Sequence, residues 1–541
     1  SFYLDYQVNE SFLDTATDFN NIVRLGRQMG YNYGGSTAAF GQCAFIVKVP
    51  ADSVSLGPDT NYIPILQKGS TVASSEGAAF ILEEDINFNN PSAQVEAAEQ
   101  DPSTGRTTYW AIQTFGKVAS GELGLETISV GPFERFKKIK LKTRNVVEII
   151  SVIDSEGNEY YEVENLSQNL VYKSIPNRSY SGGVDAVSIL KPMIVPRRFV
   201  VDRDRTETTL QFGFGSSAQT NSPSVAEPTN VVLKRNGRNH ISDTSFDPSK
   251  LLDTDKFGVG PSNTTLTIRY RKNTVANTNA SARSIRQIVN SNFSFEDPSI
   301  LNSQIRRNVT TSLEVINYDP IVGDVRQVSP DELRVLIKNN FSAQNRAVTS
   351  QDYKALVYSM PPQFGGVKRC SIFRDSDSFR RDLNLYVVCE DNSGFLAHAN
   401  NNIKTNLKTW LGQNKIINDT ISVLDAKIVN IRIRYSAVAA VGANKYEILV
   451  NVNNKLKEMF LTKLDIGEPF NIAEIYKAIN RVRGIVDVQD VKVENVTGTN
   501  YSNVSFNIDE NTTADGRFVE VPSNAILEIK YLDSDIIGSI E

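Results

Sequence analysis

The chain holds only two histidines, His240 and His398, and both stand among polar residues far apart in sequence. A Ser-His-Asp triad or a histidine general base needs an imidazole held against a nucleophile, and an H-E-x-x-H zinc site needs two imidazoles four positions apart. This spacing builds none of them easily, so the expectation is two exposed histidines. The glycine-rich pieces are equally spare. Phe212-Gly213-Phe214-Gly215 has no helix pattern after it, and Gly116-Lys117 is followed by Val118 where a phosphate loop requires Ser or Thr. Glu83-Glu84-Asp85 and the pair Asp375 and Asp377 could bind a cation, but they lack the glycine-containing spacing of a calcium loop and read as solvated surface. The paired carboxylates of a glycosidase leave no sequence signature, so a polysaccharide-degrading enzyme stays open without being pointed to. Cys43, Cys370 and Cys389 are odd in number and widely spread. They form no disulfide framework, suggest a reducing compartment, and read as buried inert thiols on strands. The expectation is a protein that is not an enzyme, with no catalytic, cofactor-binding or metal-binding residues.

One charged pattern stands out. Across a strand expected at Arg135 to Val147, Lys138, Lys140, Lys142 and Arg144 alternate with Ile139, Leu141, Thr143 and Asn145. A two-residue repeat puts the four cations on one face. They would form either a docking stripe for an acidic partner or a solvated face whose lysines protect a sheet edge. Nucleic acid is not expected as a partner, because the row lacks interleaved aromatics and the net charge is −5. Nor is membrane insertion, since no window approaches the roughly 18 continuous apolar residues of a span.

At 541 residues, 40% apolar and 22% charged, the chain reads as a soluble protein of about three or four domains. Phe12, Phe19, Ile22, Val23, Leu25 and Met29 mark a helical stretch that Gly30 ends, and Ser1 to Glu10 reads as the tail of an earlier helical segment. Short strands follow, including Cys43 to Val49, Tyr109 to Lys117 and Thr265 to Tyr270, with a polar loop at Ser216 to Glu227. Ser329-Pro330-Asp331-Glu332 then starts a helix: Ser329 caps it, Pro330 sits where a missing N–H costs nothing, and Glu332 completes a capping box. Thr349-Ser350-Gln351-Asp352 starts a second helix carrying Tyr353, Leu356, Val357 and Met360, and Pro361-Pro362 stop it. Beyond lie strands at Val367 to Phe373 and Leu383 to Cys389, a helix at Ala399 to Leu411, and a long alternating strand at Lys427 to Val438. Helices at Tyr446 to Leu461 and Ile472 to Asn480 and a strand at Gly484 to Val493 complete the series, which fits helices packed on one face of a mixed sheet. The expected fold class is multidomain α+β and β-rich. Its parts are the end of an N-terminal helical arm (1–36), a β-rich domain (37–201), a β core (202–328), a capped helical hairpin (329–362), an α+β domain with a mixed sheet (363–498) and a β-rich C-terminal tail (499–541).

The order of these parts resembles the baseplate J-like family of contractile-tailed phages and related injection machines. Asn345-Arg346-Ala347-Val348-Thr349-Ser350-Gln351-Asp352-Tyr353-Lys354-Ala355-Leu356 is similar to the family's Asn-Arg-Ala-Val-Thr-x-x-Asp-Tyr-x-x-Leu segment. Leu210 to Gly215 resembles its Phe-Gly-Asp-Gly turn but departs at Phe214, where the family has an acidic residue. Thr267 to Arg271 resembles the strand that follows, and Arg481 to Val488 the closing strand. Asn9-Glu10-Ser11-Phe12-Leu13 through Gly30-Tyr31 resembles the wedge subunit of the inner baseplate ring of large myophages. The resemblance covers about residues 200–495, so 202–328 would be the family's β core. It implies a structural subunit of the tail baseplate, located in the virion and assembled in the bacterial cytoplasm. Such subunits pair within a wedge and join into a ring around the hub, meeting other wedge proteins, hub proteins and the sheath initiator. The ring holds the sheath until contraction ejects the genome. A β-rich tail fibre or receptor-binding protein is the alternative, although the trimeric fibrous repeats it requires are not found.

Overall fold

The computed structural model describes residues 2–541 except 53–56, 92, 104, 169, 177–187, 205–206, 216–256, 276, 300, 326–327, 375–381 and 462. The loop expected at Ser216 to Glu227, His240, Asp375 and Asp377 lie outside the described residues. Strands account for 37% of the described residues and helices for 21%, a strand share well above that of an ordinary soluble domain. The class is multidomain, β-rich α+β.

Sheet membership does not follow chain order. The first sheet is built on Phe40–Pro50 and Thr107–Ser120, paired antiparallel from Phe40 opposite Ala119 to Pro50 opposite Tyr109. Thr71–Ser74 and Ala79–Leu82 extend it on one side. Its outer members are Ile285–Asn290 and Glu314–Ile316, which come from much later in the chain. Phe45, Val47, Val49, Phe80, Leu82 and Ile112 fill its core together with Val309 of the helix Ser303–Thr311.

The second sheet runs in the order Glu122–Val130, Thr264–Lys272, Val146–Ile153, Glu159–Glu162, Arg198–Arg203, Thr208–Phe212, Lys138–Lys140. Ile139, Leu141, Val152, Phe199, Leu210, Phe212, Leu266 and Ile268 form its core. The chain passes from first sheet to second through Gly121, at φ 116°, where an added Cβ would lie 2.8 Å from the Lys272 carbonyl oxygen. Gly213, in the expected Phe-Gly-Phe-Gly turn, is pinned more tightly still: a Cβ there would meet the Gly258 carbonyl oxygen at 2.1 Å.

The single strand expected from Arg135 to Val147 is a correction. It is two strands, Lys138–Lys140 and Val146–Ile153, separated by a bend. The Glu126 carboxylate accepts the N–H groups of Lys142 and Thr143, at 3.1 and 3.0 Å, that a ladder would have used. Asn145 then turns the chain at φ 59°. The alternation of side chains survives the bend, with Ile139 and Leu141 buried and Lys138, Lys140, Lys142 and Arg144 exposed.

The N-terminal stretch holds the earlier helix, Phe2–Glu10, and a second, Phe19–Gln28, which starts later than the expected stretch and leaves Phe12 outside it. Glu10 makes the break by folding back. Its carboxylate accepts from the Thr17 amide and hydroxyl at 2.8 and 2.7 Å and from Asn21 at 2.9 Å. These bonds, the Thr17 amide foremost, hold its pKa at about 2. Phe19, Ile22 and Val23 of the second helix pack on Leu333 and Ile337 of Pro330–Ala343, the first helix of the hairpin.

Both hairpin helices start where the residues say. Ser329 accepts from the Glu332 amide at 3.2 Å, but Glu332 does not close the expected box: its carboxylate accepts from Arg369 at 3.1 Å instead. In Ser350–Tyr358 the box is complete, with Thr349 and Asp352 each accepting from the other's amide. Its buried face, Tyr353, Leu356 and Val357, packs on Cys370, Ile372, Leu385 and Val387 and on Ile403, Leu407 and Leu411 of the helix Asn401–Asn414.

The C-terminal region carries two mixed sheets. One joins Arg369–Arg374, Leu383–Glu390, Leu396–Ala397 and Ile421–Asp425, with the last parallel to Leu383–Glu390. In the other, Lys427–Ala439 lies antiparallel to Ile485–Asn495 and parallel to Ala525–Glu528 and Ile536–Ile540. Only the buried Ala426 separates the strand of one from the strand of the next. The helices Lys445–Met459 and Ile472–Asn480 cover the second sheet through Ile448, Val452, Leu456, Ile475 and Ile479.

The complete capping box makes a quantitative prediction. Thr349→Ala removes the hydroxyl that receives the Asp352 amide and should lower stability by about 1 kcal/mol. Urea denaturation followed by circular dichroism checks it, and Thr349→Ser should recover most of the loss.

Candidate functional site

The polar groups that do converge sit where the two β sheets meet the hairpin. Arg271 lies on the face of Thr264–Lys272 opposite the core residues Leu266, Ile268 and Tyr270, one position before that strand ends, and is buried there although Arg269 on the same face is exposed. Its guanidinium donates from Nη1 to the Ser120 carbonyl at 3.0 Å and from Nη2 to Glu148 Oε2 at 3.0 Å, and reaches the Gln363 carbonyl at 3.4 Å. It also stands 5.8 Å from the centre of the Phe40 ring. One side chain thus ties the first sheet, the second sheet and the exit of the hairpin.

A second buried cluster lies beside it. Asp324 Oδ1 accepts from the Thr37 hydroxyl at 2.9 Å, and Oδ2 accepts from the Thr278 amide at 2.8 Å, with Thr278 Oγ1 2.9 Å away. Asn279 donates to the carbonyls of Asp324 and Glu390, both at 2.8 Å, and accepts from the Asp324 amide at 2.9 Å. Ser120 Oγ accepts from the Ala39 amide at 2.9 Å, and Asn273 donates to the Thr37 carbonyl at 2.9 Å. Burial raises the Asp324 pKa, and the bonds from Thr278 and Thr37 only partly offset it. The cluster satisfies its own donors and acceptors, its hydroxyls are engaged in those bonds, and no imidazole stands among its members. Chemically it can hold backbone segments in register.

A third contact carries this register to the C-terminal sheets. Arg369, buried at the start of its strand, donates to Glu332 of the hairpin at 3.1 Å and to the Lys463 carbonyl at 3.1 Å. Its Nε lies 2.8 Å from Asp465. Glu528 is similarly enclosed, accepting from the Leu396 amide at 2.9 Å, Asn430 at 3.1 Å and Lys463 at 2.8 Å, and so links the two mixed sheets. A cavity of about 580 Å³ opens next to these joints, lined by Tyr31, Tyr33, Arg203, Val357, Pro362 and Trp410.

The residues singled out from sequence do not gather. His398 is exposed. Gly116 and Lys117 lie in mid-strand, and Lys117 faces Glu84 at 3.7 Å. Asp85 accepts from the Lys68 amide at 2.6 Å, 17 positions earlier in the chain. No group of three or more His, Cys, Asp or Glu placed to hold a metal ion is found among the described residues, and no helix among them is long and apolar enough to cross a membrane. All three cysteines are buried, and burial pushes each thiol up to about 12. In the basic row, Lys140 pairs with Glu207, and Lys138–Lys140 is the outermost strand of its sheet. The position suits edge protection. In the sequence Arg271 has no visible role, because the Ser120 carbonyl it touches lies 151 positions away; in the same way Thr37 and Asp324 are 287 positions apart.

Neither a family model nor a curated protein matches the chain. Among solved structures it is similar to a chain of the anti-feeding prophage baseplate, determined by cryo-electron microscopy with 6-fold symmetry applied. Identity there is 10% and the TM-score 0.28, over 94% of this chain and 80% of that one. It is also similar to a chain of the type VI secretion system TssK-TssF-TssG baseplate subcomplex, at 8% identity and a TM-score of 0.24, over 74% of this chain and 92% of that one. At those scores neither likeness carries an argument about function.

Asp324→Ala leaves the Thr278 amide unpaired inside the joint and takes one partner from each of the Thr37 and Thr278 hydroxyls, which keep Val325 and Ser120, and should cost about 2–3 kcal/mol. Hydrogen exchange should accelerate at the Thr278 amide. Because the folded pKa of Asp324 is raised, its contribution favours folding at low pH and is lost as pH rises from the ordinary carboxylate range through the folded value. Stability measured against pH should lose that slope in Asp324→Ala.

Proposed function

We propose that this chain is a structural subunit of a phage contractile-tail baseplate. In this reading it belongs to the wedge, pairs with a second copy there, and joins other copies in a ring around the tail hub. The ring connects the wedges to the sheath and helps hold the sheath until contraction ejects the genome. Its partners are other wedge proteins, hub proteins and the sheath initiator. It performs no reaction and uses no cofactor, works in the virion, and is assembled in the bacterial cytoplasm.

The observation that carries this reading is the segment Asn345 to Leu356, whose order of residues is similar to the baseplate J-like family. In this fold it becomes the completed capping box and the helix that packs on the first C-terminal mixed sheet. A part that family resemblance marks is thus a brace between units. The buried joints support the same reading. Arg271, Asp324 and Arg369 use ion pairs and hydrogen bonds to fix the relative placement of sheets, which suits a subunit that must offer several faces in fixed geometry. Ring closure needs two different patches on each copy, and a multidomain chain supplies them.

Reconstitution tests the proposal. The full chain mixed with the wedge proteins of the same particle should form a complex of defined stoichiometry by native mass spectrometry. A chain that stays alone in that mixture, or one that turns over envelope polysaccharide and loses turnover on a single Asp or Glu substitution, contradicts it.

A further inference from the structure

The two outer strands of the second sheet are treated oppositely. Lys138–Lys140 is three residues long and presents lysines, the usual protection of an edge against pairing with other chains. Glu122–Val130 is nine residues long and holds an unbroken antiparallel register with Thr264–Lys272, from Glu122 opposite Lys272 to Val130 opposite Thr264. It has no bulge, lysine or proline. Apart from that ladder, residues 122–130 form no backbone hydrogen bond with any described residue. Among the described residues, therefore, none pairs with the outward N–H and C=O groups of this strand.

The side chains on its solvent face are Leu123, Leu125, Thr127 and Ser129, all exposed, with the two leucines 59% and 58% accessible. None carries charge. The acidic residues of the strand are already taken: Glu126 turns inward to Thr143 and Tyr270, and Glu122 pairs with Lys272 at 2.8 Å. Other long outer strands differ. Gln94–Gln100 exposes Glu96 and Glu99 and has register shifts, and Ile485–Asn495 carries Asp487, Asp490, Lys492 and Glu494 and is also shifted. Like charges facing each other across an antiparallel pair are unfavourable, so those strands resist meeting their own copies. The strand at 122–130 does not.

We propose that Glu122–Val130 is a dimerisation edge, which pairs antiparallel with the same strand of a second copy about a two-fold axis. An open edge specifies a strand as its occupant, because only extended backbone answers alternating N–H and C=O groups. The uncharged, bulge-free row makes the strand complementary to itself, which a two-fold contact requires. Pairing continues the sheet from one copy into the next and covers the leucines. The inference rests on this edge and not on the baseplate reading, though it gives the pairing in that reading a surface.

The test uses the full chain alone. Analytical ultracentrifugation over a range of concentrations should show a monomer–dimer equilibrium. Replacing both Leu123→Lys and Leu125→Lys should weaken it by roughly tenfold or more with an unchanged circular dichroism spectrum. Singly replacing Leu123, Leu125, Thr127 and Ser129 by Cys gives an independent measurement, since the native thiols are buried. Mild oxidation should yield a covalent dimer at the position nearest the axis, and none from Lys138→Cys on the opposite edge. A wild-type chain monomeric at every concentration, a folded double variant that still dimerises, or cross-linking through Lys138→Cys alone overturns the proposal. A chain that dimerises here but joins no wedge complex would leave this edge standing and remove the baseplate reading.

Discussion

The architecture depends on a guanidinium buried where three units meet. Enclosing a guanidinium such as that of Arg271 costs several kcal/mol unless its donors find partners. The first sheet supplies the Ser120 carbonyl and the face of Phe40, the second sheet supplies Glu148, and the hairpin exit supplies the Gln363 carbonyl. No one of these units satisfies the group alone, so the charge is tolerable only when all three are in place. Asp324, with Thr37, Thr278 and Asn279, imposes the same condition beside it in neutral and anionic groups. Burial of apolar side chains drives each unit to form. The polar joints decide how the units stand to one another, because a slip of one residue would leave a buried charge or amide unpaired.

This division explains what could be read from the residues. Local signals were legible: the cap at Ser329, the box at Thr349 and Asp352, the helix at Ile472–Asn480, and the long strand at Lys427–Ala439 that alternates apolar and polar side chains. The β-rich α+β class followed from them. Where a local signal failed, a side chain from elsewhere had taken over the backbone. Glu126 ended the strand expected through Lys142, and Arg369 drew Glu332 away from its box. The short helix Ser303–Thr311 and the strand Ile421–Asp425 carried patterns too brief to separate from their surroundings. The joints were invisible because their members are distant in sequence and ordinary in type; a serine, a threonine and an aspartate announce nothing until the fold brings them together.

The same contrast bears on function. Among the described residues, His398 is exposed, Gly116 and Lys117 lie mid-strand and Asp85 accepts a backbone amide, while the buried polar groups of the joints hold units in register. A protein whose costliest buried groups fix geometry suits work in which geometry is the product. Its surface agrees, with one edge of the second sheet guarded by lysines and the other left open for a strand. Rigid joints inside and selective edges outside are what a repeating assembly asks of each copy.

The central claim, that this chain is an architectural unit of a contractile-tail baseplate, is tested most directly by a cryo-electron microscopy map of the assembled particle. The account predicts copies of this chain in a ring around the tail tube, with the two β sheets of every copy in the relative orientation that Arg271 and Asp324 fix. A map that places the chain at the tips of fibres, or that lacks it altogether, would contradict the account.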